Sequence, residues 1–362
     1  MNTCQPATAC QPVRTEPEPP STRFVLPPGS DAPSPPEHRG TARDGVRLLV
    51  ARPSGPTHHV FRDLPALLQP GDLLVVNTSA TLAAALRGHG PHGDALPLHV
   101  ATVLDDGSWV VEPRLADATG PDLRARRGDV LSLPDGVRAV LLDTYPHAGL
   151  RTARLWRARV SPATDLVRYL GAHGRPIEYA YLDGSYDLGS RQNAYATAPG
   201  SAEMPSAGRP FTAELLVRLM AGGVTVAPVV LHCGLSSPEL HEPPTPERFE
   251  VPADTARLVR SATTAGRRVV AVGTTVVRAL ESAVGDDGRV RAARGWTDLV
   301  LSPLRPARAV TGLVTGLHAP EASHLLLLEA VAGADLVRSA YEAAVRERYL
   351  WHEFGDSMVF LP

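Results

Sequence analysis

Apolar residues recur along this chain in two rhythms, and each predicts its own kind of element. From Arg43 the run "RDGVRLLVARP" predicts a strand, and "FRDLPALLQPGDLLVVNTS" predicts a short helix, a Pro-Gly turn and a buried strand ending at Asn77. Between about residues 86 and 160 the runs "LPLHVATVL", "WVVEPRL", "DVLSLP", "RAVLLDTY" and "LRTARLWRARV" alternate, separated by Gly, Asp and Pro turns. That pattern predicts a small β-barrel. After Pro162 the rhythm is mixed: helix "ATDLVRYLGAHG", a Gly, Ser and Tyr-rich loop, helix "TAELLVRLMAGG" and strand "VTVAPVVLHCG". A helix over residues 254–265, strand "RRVVAVG", helix "TTVVRALESAVG" and a final amphipathic helix "ADLVRSAYEAAVRERY" complete an α/β layer. The expected fold class is therefore a mixed α/β main domain, residues 41–85 and 161–362, with an inserted small β-barrel domain over 86–160. Residues 1–40, dense in Pro, Ser, Thr and Glu, are expected to form a disordered tail. A cleft between main domain and insert is the natural place for a site.

Length and composition narrow the chemistry. At 362 residues the chain has room for about two domains, and 43% hydrophobic with 20% charged residues is ordinary globular usage. All 36 basic side chains are arginine, which excludes a Schiff-base lysine and a lysine-bearing phosphate loop. The net charge of -2 provides no general field for nucleic acid, so an RNA partner needs a local arginine patch. Cys4, Cys10 and Cys233 offer neither a disulfide framework nor metal-ligand spacing. With no signal-peptide pattern and no apolar run long enough to span a bilayer, a cytoplasmic protein without a membrane partner is expected.

Four features carry candidate chemistry. In "RRVVAVGTTVVRALES", a strand ends at Gly273, Thr274 and Thr275 follow, and the helix carries Arg278 and Glu281. Free amides, hydroxyls and a guanidinium there suit a carboxylate or phosphate, and an ordinary helix cap is the alternative. His232 ends the strand "VVLHCG" and His318 precedes the helix of "TGLHAPEASHLLLLEA", two positions from which histidines can face one cleft for proton transfer. His324 reads as a surface residue, and Cys233, pointing opposite to its neighbour His232, is a poor thiol catalyst. Trp296 and Asp298 in "GWTDLVLSP" offer an aromatic floor and an acceptor for a base or sugar, against plain packing. Arg151, Arg154, Arg157 and Arg159, with Arg124, Arg126 and Arg127, are either a phosphate-facing patch or solvated decoration.

In this order, "RDGVRLLV", "FRDLPALLQPGDLLVVNTS", "YATAPGSAEMPSAGRPFT", "VVLHCG", "AVGTTVVRALESA", "GWTDL" and "YLWHEFGDSMVFL" resemble the S-adenosylmethionine:tRNA ribosyltransferase-isomerases of the queuosine pathway, over residues 43–362. The resemblance implies an α/β domain with an inserted barrel. It also implies S-adenosylmethionine as co-substrate, no metal, and tRNA as partner. The implied reaction moves and isomerises the ribosyl part of S-adenosylmethionine onto the aminomethyl group of a 7-deazaguanine base, giving epoxyqueuosine and releasing adenine and methionine. His232 and His318 match family histidines and would transfer protons. Asn77, Ser206, Gly208, Gly273, Thr274, Thr275, Arg278, Glu281, Trp296 and Asp298 would hold substrate. The chain departs from the family pattern at "PSAGRPF", where Arg209 and Pro210 stand and a histidine is lost. It departs again at "GLSSPELHEPP", at "GLHAPEASH" with Gly316 and His324, and at "NTSA" after Asn77. These departures keep open a divergent S-adenosylmethionine enzyme with a small-molecule acceptor or lyase chemistry, and a binding protein without turnover.

Overall fold

The computed structural model of the protein describes residues 19–117, 119–236 and 244–362. Its main body is a nine-stranded mixed sheet in the order Ala293–Thr297, Glu247–Val251, Thr225–Leu231, Leu73–Asn77, Val269–Val272, Gly312–Gly316, Ser357–Phe360, Arg47–Arg52, Gly55–Val60. The four strands from Thr225–Leu231 to Gly312–Gly316 run parallel. Antiparallel strands close both flanks. A parallel centre is covered on both faces, so its middle strands Leu73–Asn77 and Val269–Val272 are buried at every position rather than alternating. Leu73 and Val75 face the layer containing Val259, Val276, Leu280, Leu328 and Tyr341, while Leu74 and Val76 face Phe61, Leu64, Phe211 and Leu215. The helix Ser323–Ala332 is buried along Leu325, Leu326, Leu327 and Leu328, which accounts for its continuous leucines. Among the described residues no helix is long and apolar enough to cross a membrane.

The insert forms a six-stranded antiparallel sheet ordered Ala85–Leu86, Leu98–Val103, Trp109–Pro113, Trp156–Ser161, Arg138–Thr144, Val130–Ser132. The alternating runs of the sequence fall on these strands. Its first and last members are joined just beyond the first strand by one reciprocal pair of backbone hydrogen bonds between His89 and Ser132, 2.9 Å each. The helix Leu166–His173, expected in the main domain, instead buries Tyr169 and Leu170 against this sheet, with Tyr169 Oη donating to the Pro134 carbonyl at 2.8 Å. The buried cluster of the insert also takes in Ile177, Ala202 and Leu235.

Residues 19–40 are not a loose tail; residues 1–18 lie outside the described residues. Glu329 is buried on the leucine-rich helix and must find donors. Ser21 Oγ, Thr22 N–H and Thr22 Oγ each donate to it at 2.8 Å. Farther along, Ala32 and Ser30 exchange backbone bonds with Trp351, and Glu37 pairs with the buried Arg209 at 2.8 Å. A polar, Pro-rich composition predicts disorder only where no buried charge elsewhere needs its donors.

Candidate functional site

The carboxyl ends of parallel strands are where a doubly covered sheet leaves a crevice. Here those ends carry Asn77, Leu231 with His232, Val272 with Gly273, and Gly316. Asn77 spends its amide on the scaffold: Nδ2 donates to the Leu231 carbonyl at 2.8 Å and to Thr275 Oγ1 at 3.3 Å, while Oδ1 accepts the N–H groups of Leu231 and Ser79 at 3.0 Å. The expected substrate contact is thus a clip that fixes where His232 leaves its strand.

His232 faces a cleft of about 830 Å³ between this edge and the inserted sheet, lined also by Leu82, Trp109, Arg157, Gly200 and Arg248. That volume suits a nucleoside-sized ligand. His232 Nδ1 lies 2.7 Å from Ser79 Oγ, which lies 2.6 Å from Ser201 Oγ, which in turn accepts the Cys233 N–H at 2.9 Å. Burial first, and the nearby Arg248 charge second, hold the imidazole below its ordinary pKa and hence neutral. A Cβ on Gly200 would stand 2.4 Å from His232 Nδ1, so only glycine lets the ring seat here. Burial pushes the Cys233 thiol far above its usual range, which leaves it inert. The rim is built from Arg248, which stacks 4.9 Å over the Trp296 ring and pairs with Asp105 of the insert, while Trp296 Nε1 donates to Asp105 at 3.0 Å. Trp296 therefore ties sheet to insert rather than flooring a base, and Asp298 lies exposed beyond it.

At the helix start, Gly273 has φ +90° and caps Thr274–Ser282, with Thr274 and Thr275 half-buried. Arg278 and Glu281, however, point into the protein. The Arg278 guanidinium pairs with Glu247 and donates to the carbonyls of Leu299 at 3.1 Å and Thr297 at 3.0 Å. Glu281 accepts the backbone N–H groups of Arg308, Ala309 and Val310 at 2.8 to 3.1 Å. Both are corrected from substrate ligands to internal ties, because every polar atom of each is already committed. Glu281→Gln is expected to lower unfolding stability by about 1–3 kcal/mol, the cost of weakening charge-assisted bonds to three backbone amides, two of them buried. Chemical denaturation measures it, and an unchanged midpoint refutes it.

His318 and His324 stack face to face, centroids 4.5 Å apart. His318 Nε2 is 3.0 Å from Thr315 Oγ1, its N–H donates to Tyr341 Oη at 3.1 Å, and its carbonyl accepts from Trp351 Nε1 at 3.1 Å. Among the described residues no hydrogen bond, ion pair or ring contact joins His318 to His232, and His318 does not line the large cleft. His324 is corrected from a surface residue to a half-buried one, its pKa lowered to about 4 by burial and then by the Arg278 charge. Ser206 and Gly208 form one short turn. Ser206 shares with Arg209, Pro210, Gly316, His352 and Glu353 a crevice of only about 10 Å³, room for roughly one water. The departures at Arg209, Pro210 and Gly316 therefore meet in one closed place. Those at 237–243 lie outside the described residues.

Sequence reading missed Ser79, Ser201, Gly200 and Arg248. The signal for the first lay in "NTSA", a small polar residue two places after the strand end at Asn77.

Comparison with known proteins agrees with this architecture. The family described as "Queuosine biosynthesis protein" matches residues 21–360. A protein of Desulfitobacterium hafniense named S-adenosylmethionine:tRNA ribosyltransferase-isomerase is 35% identical, over 90% of this chain and 95% of its own. One of the same name from Anaeromyxobacter dehalogenans is 37% identical, over 93% and 97%. The crystal structure of an S-adenosylmethionine tRNA ribosyltransferase from Thermotoga maritima, 30% identical, covers 94% of this chain and 99% of its own with a TM-score of 0.52. A match this long, with relatives at this identity spanning nearly their whole length, means that the chain belongs to the queuosine biosynthesis protein family.

Proposed function

We propose that the protein is an S-adenosylmethionine-dependent ribosyltransferase-isomerase. It transfers the ribosyl part of S-adenosylmethionine to the aminomethyl group of 7-aminomethyl-7-deazaguanine in tRNA, giving epoxyqueuosine with adenine and methionine released. The observation that carries this reading is the nucleoside-sized cleft in which His232 is held beside Gly200. A sulfonium makes its neighbouring C5′ protons acidic, and departing adenine takes up a proton, so a cleft that holds an imidazole in a fixed place suits the ligand. The relatives' names speak for a tRNA acceptor and give no support to a small-molecule acceptor or lyase. Mass spectrometry after incubation with S-adenosylmethionine tests it: adenine release that needs tRNA bearing the aminomethyl base supports the reading, and release without tRNA overturns it.

On this reading the insert is a small barrel closed at His89 and Ser132, S-adenosylmethionine is a co-substrate, and the enzyme works in the cytoplasm. The tRNA backbone follows a groove of about 430 Å³ on the insert, lined by Arg127, Arg157 and Arg159 and continuous with the His232 cleft through Arg157, Arg159 and Leu142. Outward Arg157 and Arg159 alternate with buried Trp156 and Ala158, so the pleat itself presents both guanidinium groups on one face. Arg157 is part-neutralised by Asp106, which leaves Arg127 and Arg159 as the cleaner probes. The double variant Arg127→Ala/Arg159→Ala is expected to weaken tRNA binding about tenfold or more and to flatten its log–log salt dependence by roughly 0.7–0.9 per lost phosphate contact. An unaltered salt slope removes this groove from the tRNA path.

A further inference from the structure

We propose that Ser79 and Ser201 are positioning residues that lock His232 in the tautomer with hydrogen on Nε2, so that His232 meets its ligand as a hydrogen-bond donor and not as a base. The argument is a count of donors in a closed chain. Ser201 is 0% exposed and Ser79 1%, so neither hydroxyl hydrogen has water to turn to. Ser201 Oγ already accepts the Cys233 N–H. Two acceptors stand near the Ser201 hydroxyl hydrogen, Ser79 Oγ at 2.6 Å and the Cys233 sulfur, and the oxygen is much the stronger of the two. Once Ser79 Oγ accepts that hydrogen, its own hydroxyl is directed to its remaining neighbour, His232 Nδ1 at 2.7 Å. Nδ1 is then an acceptor, and in the neutral ring the hydrogen sits on Nε2.

The reverse chain is the weaker one. If Nδ1 carried the hydrogen and donated to Ser79, Ser79 would donate to Ser201, and the buried Ser201 hydrogen would be left with the Cys233 sulfur alone. A thiol sulfur is a poor acceptor, so that arrangement exchanges an oxygen-accepted hydrogen bond for a much weaker one. The imidazole packs closely on Gly200, where an added methyl would stand 2.4 Å from Nδ1. The wire thus starts at a backbone amide of the strand end and runs in one direction to the cleft.

A neutral imidazole presenting Nε2–H polarises an acceptor on the ligand without needing to titrate. In the cleft the fitting acceptor is a purine ring nitrogen or a sugar oxygen of a sulfonium nucleoside. This step rests on the function proposed above, whereas the tautomer does not. Removal of a C5′ proton then falls to a group other than His232.

Long-range proton–nitrogen correlation spectra of the full-length, nitrogen-15-labelled protein near pH 7.5 test both parts, with His232→Gln used to assign the signals. The expected spectrum has a protonated Nε2 and an unprotonated Nδ1 for His232. A protonated Nδ1, or a doubly protonated ring, overturns the proposal. Ser79→Ala is expected to abolish the tautomer preference and to lower kcat about tenfold or more with little change in the KM for S-adenosylmethionine. A retained tautomer in that variant also overturns it. Adding S-adenosylmethionine should move the Nε2 resonance. If other resonances move and Nε2 does not, the donor role is refuted, and if nothing in the spectrum moves, the S-adenosylmethionine reading itself fails while the tautomer stands.

Discussion

His232→Ala is expected to lower turnover by about 10²–10³-fold, the usual loss when one preorganised donor is removed from a desolvated site. The substitution deletes the group that faces the large cleft while leaving the fold clipped by Asn77, which holds the strand end through its own four hydrogen bonds. Thermal unfolding should therefore shift far less than the rate. Gly200→Ala offers an independent route to the same result. Its methyl would occupy the space of the His232 ring, 2.4 Å from Nδ1, and must push the imidazole off Ser79. Both variants should keep the affinity for tRNA, because the arginine groove lies on the insert. Product formation under single-turnover conditions is the measurement. Wild-type rates in His232→Ala would move the chemistry out of this cleft altogether.

The central strands were legible because burial on both faces writes an unbroken apolar run, and Leu73–Asn77 stops at the asparagine where the run stops. The insert was legible for the opposite reason, since one wet face enforces alternation, as in Arg157 and Arg159 beside Trp156 and Ala158. What the sequence hid were partners distant along the chain. Arg278 and Glu281 sit in a pattern suited to anion binding, but their needs are met by Glu247 and by the amides of residues 308–310. Composition marked 19–40 as disordered, yet Glu329, more than 300 residues away, requires the Thr22 hydroxyl. The same limit hid Ser79 and Ser201, whose hydroxyls meet across a separation of 122 residues. Position on an element was readable; the direction of a polar side chain was not, because it depends on which buried group elsewhere lacks a partner.

Acid should destabilise this protein through His324 before most carboxylates protonate. Burial, then the Arg278 charge, lowers its pKa from 6.5 to about 4. Its place as the second residue of the helix Ser323–Ala332 adds the unfavourable end of the helix dipole. A histidine whose folded pKa is depressed binds fewer protons folded than unfolded across that window. Stability is then full above pH 6.5 and falls as pH drops toward 4, by roughly 3 kcal/mol for a shift of this size. His318, stacked on it and also held well below its ordinary pKa by burial, acts in the same sense. The variant His324→Phe keeps a flat ring against His318 but cannot take up a proton. Its unfolding free energy, measured by denaturant titration from pH 7 to pH 4.5, should fall distinctly less than that of the wild type, with the two curves separating below pH 6.5. Parallel curves would show that the loss belongs to carboxylates, and that the stacked pair is already protonated in the folded protein at neutral pH or remains exposed enough to charge at little cost.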